Sequence, residues 1–332
     1  MNETKTHKSK SLPFTELEKN VLKHKMLKTL NDITKRKRAS KIAICTFVCV
    51  IFLGGFGFYF LNTPKTSITE FVNSSKNIDI NQTEDVVLIL GEGKNLNIQD
   101  KNSTINYSNT GKKITIGNYK QVNQETSKNN KTLFNTILVP YGKRTKMKLS
   151  DGSVVWLNSG SKLIYPSVFN GNKRELYLEG EAIFDVAHNE SKPFIVISQN
   201  QEIEVLGTVF GVTSYSDENI INTVLKSGSV QISYHNDGSS KLNLDKMKIS
   251  PGTMASYNKK SAGIISEKVN VDYYFSWRDG VLVFKNNDLR YIMNRLSRYY
   301  NIEIEISNAI LSRASSETFS GYLDLNENIN KV

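Results

Sequence analysis

The hydrophobic and polar positions of this chain form three patterns, and the first is an uninterrupted apolar run. Ile42–Leu61 contains 20 consecutive residues without a charge. A helix of that length spans roughly 30 Å, the hydrocarbon thickness of a bilayer. Gly54, Gly55 and Gly57 would weaken a soluble helix but are common in membrane helices. The run therefore predicts a transmembrane helix over residues 42–61; a buried core helix, the alternative, would be amphipathic.

The residues before this run are basic. Residues 1–41 carry 12 Lys and Arg against four Asp and Glu, a net charge of +8 within the chain total of +11. By the positive-inside rule we expect residues 1–41 in the cytoplasm and the residues after Leu61 on the other side of the membrane. Charge beside a membrane indicates contact with anionic lipid head groups, so no nucleic-acid partner is expected. A cleaved signal peptide, the alternative, would have a shorter apolar core.

A capping-box spacing occurs in Thr15-Glu16-Leu17-Glu18 and predicts a helix from there to about Asp32. Residues 1–41 are thus predicted to be a cytoplasmic, basic, helical segment. Apolar residues form a stripe on this helix, with lysines on the other side, which indicates a helix lying on lipid or a docking helix for a cytoplasmic partner. The stripe consists of Leu17, Val21, Leu22, Met26, Leu30 and Ile33.

The second pattern begins after Pro64, where short alternating apolar runs are separated by turn residues. We predict a β-rich region with a polar linker (Glu125–Lys131) over residues 62–132. An all-β domain, solenoid-like or a sandwich, is predicted over residues 133–268. A weak repeat relates residues 90–93 to 149–152 at an offset of 59 residues. The predicted strands are 86–90, 96–98, 113–116, 146–149, 154–157, 175–178, 183–186, 194–197, 202–206, 220–225 and 230–234.

The third pattern follows Asp279-Gly280, where the period of two residues gives way to a helical period. Val281–Phe284 predicts a strand, Asn287-Asp288 predicts a helix cap, and Ile302–Ile306 predicts a second strand. We therefore predict a partial α+β domain of βαβ type over residues 269–332, cut in its second half at Val332. The helix between the strands presents one apolar face, formed by Leu289, Ile292, Met293, Leu296 and Tyr300.

Candidate chemistry is sparse, and we do not expect an enzyme. Cys45 and Cys49 both fall in the apolar run and the histidines lack ligand spacing, so neither a metal nor a cofactor is expected. Glu179 and Glu181 share one face of a predicted strand, as a glycosidase pair could, but a surface strand beside a turn glycine is the alternative. Aromatic residues near turns suit either a sugar-binding sandwich or an ordinary core: Trp156, Tyr165 and Tyr177.

Five segments, in order, carry a family resemblance: Val139–Pro166, Arg174–Val186, Lys192–Val196, Val205–Val212 and Ser276–Leu289. These segments closely resemble the FecR family, which are membrane-anchored anti-sigma regulators of Gram-negative bacteria. The likeness covers about residues 133–332. Its final part resembles the C-terminal domain that often follows FecR, which is similar to the short signalling domain of secretins and TonB-dependent transporters.

The resemblance implies a single-pass inner-membrane protein, with a cytoplasmic N-terminus and a periplasmic C-terminal part, that relays a signal. An outer-membrane transporter binds its ligand, its signalling domain contacts the periplasmic part, and a cytoplasmic sigma factor is released or activated. The alternative is a membrane-anchored periplasmic module that binds carbohydrate or protein without sigma-factor regulation. A strand edge in the βαβ domain would carry the transporter contact, with the candidate residues Val281, Phe284, Leu289, Ile292, Ile302 and Ile304.

One covalent reaction is also implied by the resemblance, because some FecR-family members cleave themselves at a Gly-Thr bond. Gly207-Thr208 stands at the matching motif. Thr208 Oγ would attack the carbonyl carbon of Gly207 and shift the acyl group from nitrogen to oxygen, and water would then open the ester. Glycine before the bond removes crowding by a Cβ. The alternative is a glycine bulge in a core strand, where Thr208 supports β geometry.

Overall fold

The computed structural model describes residues 15–61, 67–75, 80, 83–99, 102–128, 131–234, 245–307, 309–310, 314 and 317–325, with the backbone alone at 33–45, 53, 55–61, 102–103 and 245. The chain divides into two compact units, Met1–Pro64 and Lys65–Val332.

The first unit contains one long helix, α1 (Glu16–Leu61). The predicted capping box is confirmed, because the backbone N–H of Thr15 donates to Glu18 Oε2 at 3.0 Å. The prediction that this helix ends near Asp32 is wrong. Glycine and proline, the residues that most readily end a helix, are absent between that point and Gly54, so nothing local stops the helix.

The transmembrane prediction concerns Ile42–Leu61, the last part of α1. Many of the side chains in this stretch, at 42–45, 53 and 55–61, lie outside those that the structure describes. Within the described part of the chain, no helix has both the length and the apolar character that crossing a membrane requires.

The second unit begins with a short helix, α2 (Ile68–Ser74), and continues as a long series of strands, so the mainly-β prediction is confirmed. At the predicted linker Glu125–Lys131, Ser127–Lys128 pairs antiparallel with Lys131–Thr132. The strands are β1 (Val86–Ile89), β2 (Asn95–Ile98), β3 (Asn102–Tyr107), β4 (Lys113–Ile116), β5 (Lys120–Asn123), β6 (Ser127–Lys128), β7 (Lys131–Thr132), β8 (Phe134–Val139), β9 (Arg144–Lys148), β10 (Val154–Leu157), β11 (Ser161–Pro166), β12 (Arg174–Asp185), β13 (Phe194–Ser198), β14 (Gln201–Val205), β15 (Val209–Ser214), β16 (Ile220–Ser227), β17 (Val230–Tyr234), β18 (Asp245–Ile249), β19 (Thr253–Asn258) and β20 (Ile264–Lys268).

These strands, except β6 and β7, form an 18-stranded curled sheet that we call the β body. It has two layers that share β12. The first layer has the order β2-β1-β8-β11-β12-β13-β14-β17-β18. The second has the order β5-β4-β3-β9-β10-β12-β15-β16-β19-β20. Neighbouring strands are antiparallel, apart from the parallel pairs β12–β13 and β3–β9.

The main core consists of inward-facing side chains from both layers. In β9, Met147 is buried while Lys146 and Lys148 on either side of it are exposed, as the two-residue period of a strand requires. Leu163 of the first layer and Val155 of the second belong to one continuous buried cluster. The alternating pattern in the sequence is therefore the pattern of a two-layered β structure with a shared interior.

Strand β12 passes from one layer to the other at Gly180. Residues 174–179 pair with β11 and β13, whereas residues 180–185 pair with β15 and, over their last part, β10. Gly180 has φ +105°, and a Cβ there would lie 2.5 Å from Ser161 Oγ, so the crossing requires glycine. The two strands predicted at 175–178 and 183–186 are therefore one strand with a glycine kink.

The weak repeat corresponds to two hairpin turns with the same hydrogen bonds. In residues 90–94 and in residues 149–153, the first residue donates to the carbonyl of the fifth at 2.8 Å, and the glycine in fourth place donates back to the first. Both glycines have φ +90°. Tyr107 and Tyr165, which follow the two turns, meet in the core with their hydroxyls 2.8 Å apart.

The C-terminal segment, residues 271–325, packs on the outer face of the second layer. Its elements are α3 (Val271–Phe275), a 3₁₀ helix (Ser276–Asp279), β21 (Val281–Asn287), α4 (Leu289–Tyr300) and β22 (Phe319–Asp324), which pairs antiparallel with β21. A second core joins its apolar side chains to outward-facing residues of the β body. This core consists of Phe275, Trp277, Leu282, Phe284, Ile292, Leu296 and Leu325 with Ile183, Val224 and Met254.

Local predictions for this segment had mixed outcomes. The helix cap is confirmed, because Asp288 Oδ1 accepts from the backbone N–H of Tyr291 at 2.8 Å. The strand predicted at Ile302–Ile306 is wrong. The N–H of Ile302 donates to Ser297 at the end of α4, and none of the described strands pairs with residues 302–306. The strand that follows α4 and pairs with β21 is β22, further along the chain.

Candidate functional site

Charged side chains of α4 lie against the β body, and we call this contact the docking site. The backbone N–H of Gly142, in the β8–β9 turn, donates to the carbonyl of Arg298 at 2.8 Å. Gly142 has φ +76°, and a Cβ there would lie 3.2 Å from that of Asn301, so glycine lets the turn approach the end of α4. The docking site consists of Arg295 and Arg298 of α4 with Gly142, Asn158, Glu181, Tyr215, Asp217 and Glu218 of the β body.

The deepest contact in the docking site joins Arg295 to Glu181. Arg295 Nη2 donates to Glu181 Oε1 at 2.8 Å, and both side chains are at least nine-tenths buried. Asn158 Nδ2 donates to the other carboxylate oxygen, Oε2, at 2.6 Å. A buried charge is tolerated when it is paired and its remaining hydrogen-bonding positions are filled, and the carboxylate of Glu181 meets both conditions.

Arg298 makes the second contact. Its Nη2 donates to both oxygens of Asp217 at 2.8 Å, and its Nη1 donates to Glu218. Its guanidinium carbon lies 3.8 Å from the centroid of the Tyr215 ring. Tyr215 is held in turn by its hydroxyl, which donates to the carbonyl of Ser159 at 2.8 Å. The planar guanidinium thus donates to two carboxylates from two nitrogens while its face stacks on a ring, which an ammonium group cannot do.

The electrostatics of the docking site favour its charged form. Burial lowers the pKa of Arg295, but Glu181, Tyr291 and Tyr215 together outweigh this, and the pKa is raised overall. Burial likewise lowers the pKa of Arg298, and the neighbours Tyr215, Glu218 and Asp217 raise it overall. Both arginines therefore remain cations over the whole accessible pH range. The docking site can hold α4 against the β body. If it opened, the buried charges of Arg295 and Arg298 would become exposed to solvent.

Two of the six predicted partner-binding residues are buried inside the protein, and the other four are half-buried. Phe284 and Ile292 are buried in the second core, against the β body. Ile304 is half-buried and packs against the same core. The three others are also half-buried: Val281, Leu289 and Ile302. The apolar face that the helical period identified therefore faces the rest of the chain.

The arginines of the docking site were missed in the sequence. Arg298 follows Leu296 by two residues, about 200° around a helix, so the helical period places it on the side away from the apolar face. In the structure it is nevertheless buried, with 5% of its side chain exposed, because the β15–β16 turn covers it. Arg295, which comes three residues after Ile292, is the better signal, because a charge close to an apolar face suggests a buried partner.

Glu179 and Glu181, considered as a glycosidase pair, make separate ion pairs. The Gly180 kink places them in different layers, and each carboxylate is neutralised by its own cation. Lys162 Nζ lies 2.6 Å from Glu179 Oε2, whereas Glu181 pairs with Arg295. The surface-strand interpretation fits only Glu179, because Glu181 is buried. Of the three aromatic residues considered for sugar binding, Tyr165 is fully buried in the main core, and Trp156 and Tyr177 are half-buried.

Gly207-Thr208 lies in the connection between β14 and β15 rather than within a core strand. A Cβ on Gly207 would lie 2.5 Å from His188 Nδ1, so glycine here permits close approach of the histidine. Thr208 is 4% exposed, and its Oγ1 donates to the carbonyl of Ser229 at 3.0 Å. Thr208 thus bridges two connections of the β body, and its hydroxyl is engaged with a carbonyl rather than a base.

Metal-ligating side chains do not cluster in the described part of the chain: no group of three or more His, Cys, Asp and Glu residues could hold an ion there.

Two family models match the chain in sequence order. FecR protein matches residues 135–231, and FecR, C-terminal matches residues 281–332. The matched regions of the chain are therefore similar to FecR-family proteins. The first match covers much of the β body, and the second covers β21, α4 and β22, so the docking site joins the two matched regions.

Solved structures support the same relationship. Two crystal structures of a candidate anti-sigma factor from Parabacteroides distasonis, at 2.50 Å and 1.65 Å resolution, are each 26% identical to this chain. The first has a TM-score of 0.54 and matches 60% of this chain and 88% of its own; the second has a TM-score of 0.53 and matches 59% and 87%. A search of curated proteins found no match.

Proposed function

We propose that this chain is a membrane-anchored regulator that holds a cytoplasmic sigma factor and responds to a signal received outside the cytoplasm. The two FecR matches and the similarity to a candidate anti-sigma factor support the regulatory role. The uncharged run Ile42–Leu61 and the basic residues before it support the anchor. In this proposal residues 1–41 face the sigma factor, and Lys65–Val332 lies in the periplasm.

The N-terminal helix has a surface suited to a protein partner. Leu22, Met26 and Leu30 follow one another at intervals of four residues along α1, and each is more than half exposed. Residues at this spacing line one face of a helix, the usual way a helix binds in an apolar groove. Met26→Asp in the full chain should reduce co-purification of the sigma factor at least tenfold. Lys28→Asp, about 200° away around the helix, is the matched control and should have little effect.

The docking site is the observation that carries the relay. It joins the C-terminal region, which by family resemblance receives the outer-membrane transporter, to the FecR region. The contact combines these charged pairs with the apolar second core, and contacts between two regions of one chain that include charged pairs resemble transient interfaces more than permanent ones. A transporter signalling domain that binds the C-terminal region can therefore shift the equilibrium between docked and released arrangements.

Charge reversal tests the relay. Glu181→Arg and Arg295→Glu each place like charges opposite each other and should change a sigma-dependent reporter, with or without the transporter signal. The double variant restores opposite charges and should recover the normal response. Singles that behave like the wild type would remove the docking site from the relay. Capture of the sigma factor by the same variants shows whether the regulator still binds its target.

Orientation has its own test. Alkaline phosphatase fused after Ser67 should be active in a Gram-negative host, and the same enzyme fused after Ser9 should be inactive. The reverse pattern would contradict the proposed topology.

A further inference from the structure

A groove of about 870 Å³ lies on the outer face of the first layer, beside α2. Its volume is that of a site for a small ligand. Its floor consists of strands β8, β11 and β12, and polar and apolar side chains contribute to its walls. Six of the lining side chains can contribute to ligand recognition: Phe71, Tyr141, Lys162, Tyr177, Glu179 and Tyr215.

The floor of the groove has charges that cancel. Lys162 Nζ and Glu179 Oε2 are 2.6 Å apart, with 15% and 19% of their side chains exposed. The pair therefore offers both an N–H donor and a carboxylate acceptor to a ligand without attracting a net charge. Burial, helped by the charge of Glu179, raises the pKa of Tyr177 to about 12, so its hydroxyl remains a donor at neutral pH.

Backbone recognition is not available at this groove. Strands β8 and β11 are paired on both sides along the groove, and β12 is paired there with β11 up to Glu179 and with β13 up to Tyr177. An extended peptide needs a free strand edge to add to a sheet. Recognition must therefore come from side chains: aromatic rings for apolar faces, and the Lys162–Glu179 pair for hydroxyl groups.

From this combination we infer that the groove is a binding site for a neutral, hydroxyl-rich ligand, namely a short oligosaccharide. Sugar rings have an apolar face that packs on aromatic rings and an edge of hydroxyls that both donate and accept. An anionic ligand would find no unpaired cation among these six side chains, because Lys162 is already neutralised by Glu179. This inference concerns ligand binding by the regulator itself and does not depend on the sigma factor.

The wall of the groove is also part of the docking site. Gly160, with φ +73°, leaves room for the ring of Tyr141, to which a Cβ would come within 2.6 Å. The ring of Tyr215 lies 3.5 Å from the same position, and the guanidinium of Arg298 stacks on this ring. A ligand in the groove therefore touches a residue that also holds α4.

Calorimetric titration of the full chain tests the site, in a detergent without a sugar head group. The probes are maltopentaose, cellopentaose and xylopentaose, with pentagalacturonate as the anionic comparison and an extended pentapeptide as the peptide comparison. At least one neutral pentasaccharide should bind with a millimolar or tighter Kd. Glu179→Gln, which keeps the shape of the side chain, should weaken binding about tenfold, equivalent to about 1.4 kcal/mol.

Tyr177→Leu is the second variant and should also weaken binding, while Tyr119→Ala, at a residue 91% exposed and outside the groove, is the matched control and should leave it unchanged. Circular dichroism confirms that each variant is folded. No binding of any neutral pentasaccharide at millimolar concentration would overturn the inference. Binding that both groove variants leave unchanged, or tighter binding of the anionic or peptide probe, would overturn it as well.

Discussion

The guanidinium carbon of Arg298 lies 3.8 Å from the centroid of the Tyr215 ring, while the same guanidinium is hydrogen-bonded to Asp217 and Glu218. The C-terminal segment is therefore attached to the β body through a side chain whose plane and donors are both used. Shape matters at this position as much as charge, because a planar guanidinium can stack on a ring while two of its nitrogens donate to two different carboxylates.

Arg298→Lys should loosen the attachment although it preserves the positive charge. Lysine has one nitrogen and cannot reproduce the separate contacts to Asp217 and Glu218 together with the stack on Tyr215. Hydrogen exchange of the α4 amides should become at least about tenfold faster, which corresponds to about 1.4 kcal/mol of local opening free energy. Arg290→Lys, at an exposed position of the same helix, is the matched control. Equal exchange rates in the two variants would mean that charge alone holds α4.

The Glu181–Arg295 pair should show strong coupling in a double-mutant cycle. Glu181→Gln or Arg295→Met alone leaves one buried charge without its partner, which typically costs about 3–5 kcal/mol. The double variant should be destabilised by less than the sum of the two singles, by at least about 1 kcal/mol. Urea unfolding of the full chain gives the free energies. Additive losses would contradict a direct interaction between these two side chains.

Gly180→Ala should disturb the strand crossing. Alanine would have to adopt φ near +105° and place its Cβ 2.5 Å from Ser161 Oγ. Left-handed backbone alone costs about 1–2 kcal/mol for a residue with a Cβ, and the clash adds to it. We expect a loss of unfolding free energy of at least about 2 kcal/mol. Gly171→Ala, where a Cβ would meet nothing closer than 4.0 Å, is the control and should be nearly neutral.

Sequence periodicity predicted the elements whose determinants are local. The face of α4 and its Asp288 cap depend on residues within one or two turns of each other, so the sequence alone identified both. The docking site could not be found this way. Arg298 is buried by Glu218, 80 residues earlier in the chain, and no local pattern records that contact.

The strand predicted at Ile302–Ile306 is wrong because these residues alternate between apolar and polar but have no neighbouring strand to pair with among the described residues. Its three isoleucines are half-buried and the residues between them exposed, as the period of two predicts. A strand, however, is defined by pairing with a second segment, and that segment is not encoded by the alternation itself. The same reasoning applies to β12, whose passage between two layers depends on Ser161 and on strands far away in the sequence.

Substitutions at Thr208 distinguish a structural role of its hydroxyl from a role in self-cleavage. Thr208→Ala removes the donor to the carbonyl of Ser229 and should cost about 1–3 kcal/mol of unfolding free energy. Thr208→Ser keeps the hydroxyl and should recover most of this. Mass spectrometry of the wild-type chain should show one piece after prolonged incubation. Two fragments divided after Gly207, absent in Thr208→Ala, would instead establish self-cleavage.

Alkaline pH should destabilise the β body. Burial raises the pKa of Tyr177 and of Tyr234 from 10.0 to about 12, so the folded state retains protons that the unfolded chain releases. The stabilisation that these two protonated phenols provide is fully present below pH 10 and is lost as the pH rises towards 12. The urea midpoint, measured across this window, should fall steadily. A midpoint that stays level up to pH 12 would show that neither phenol is shielded.

Strand β12 has a consequence for the way this protein comes apart. Its first half holds the first layer together and its second half holds the second, so neither layer can open without removing a central strand from the other. The β body is therefore one cooperative unit rather than two separable halves. A protease or an unfolding motor that engages this part of the chain must disrupt both layers together, and no stable half-folded product should accumulate.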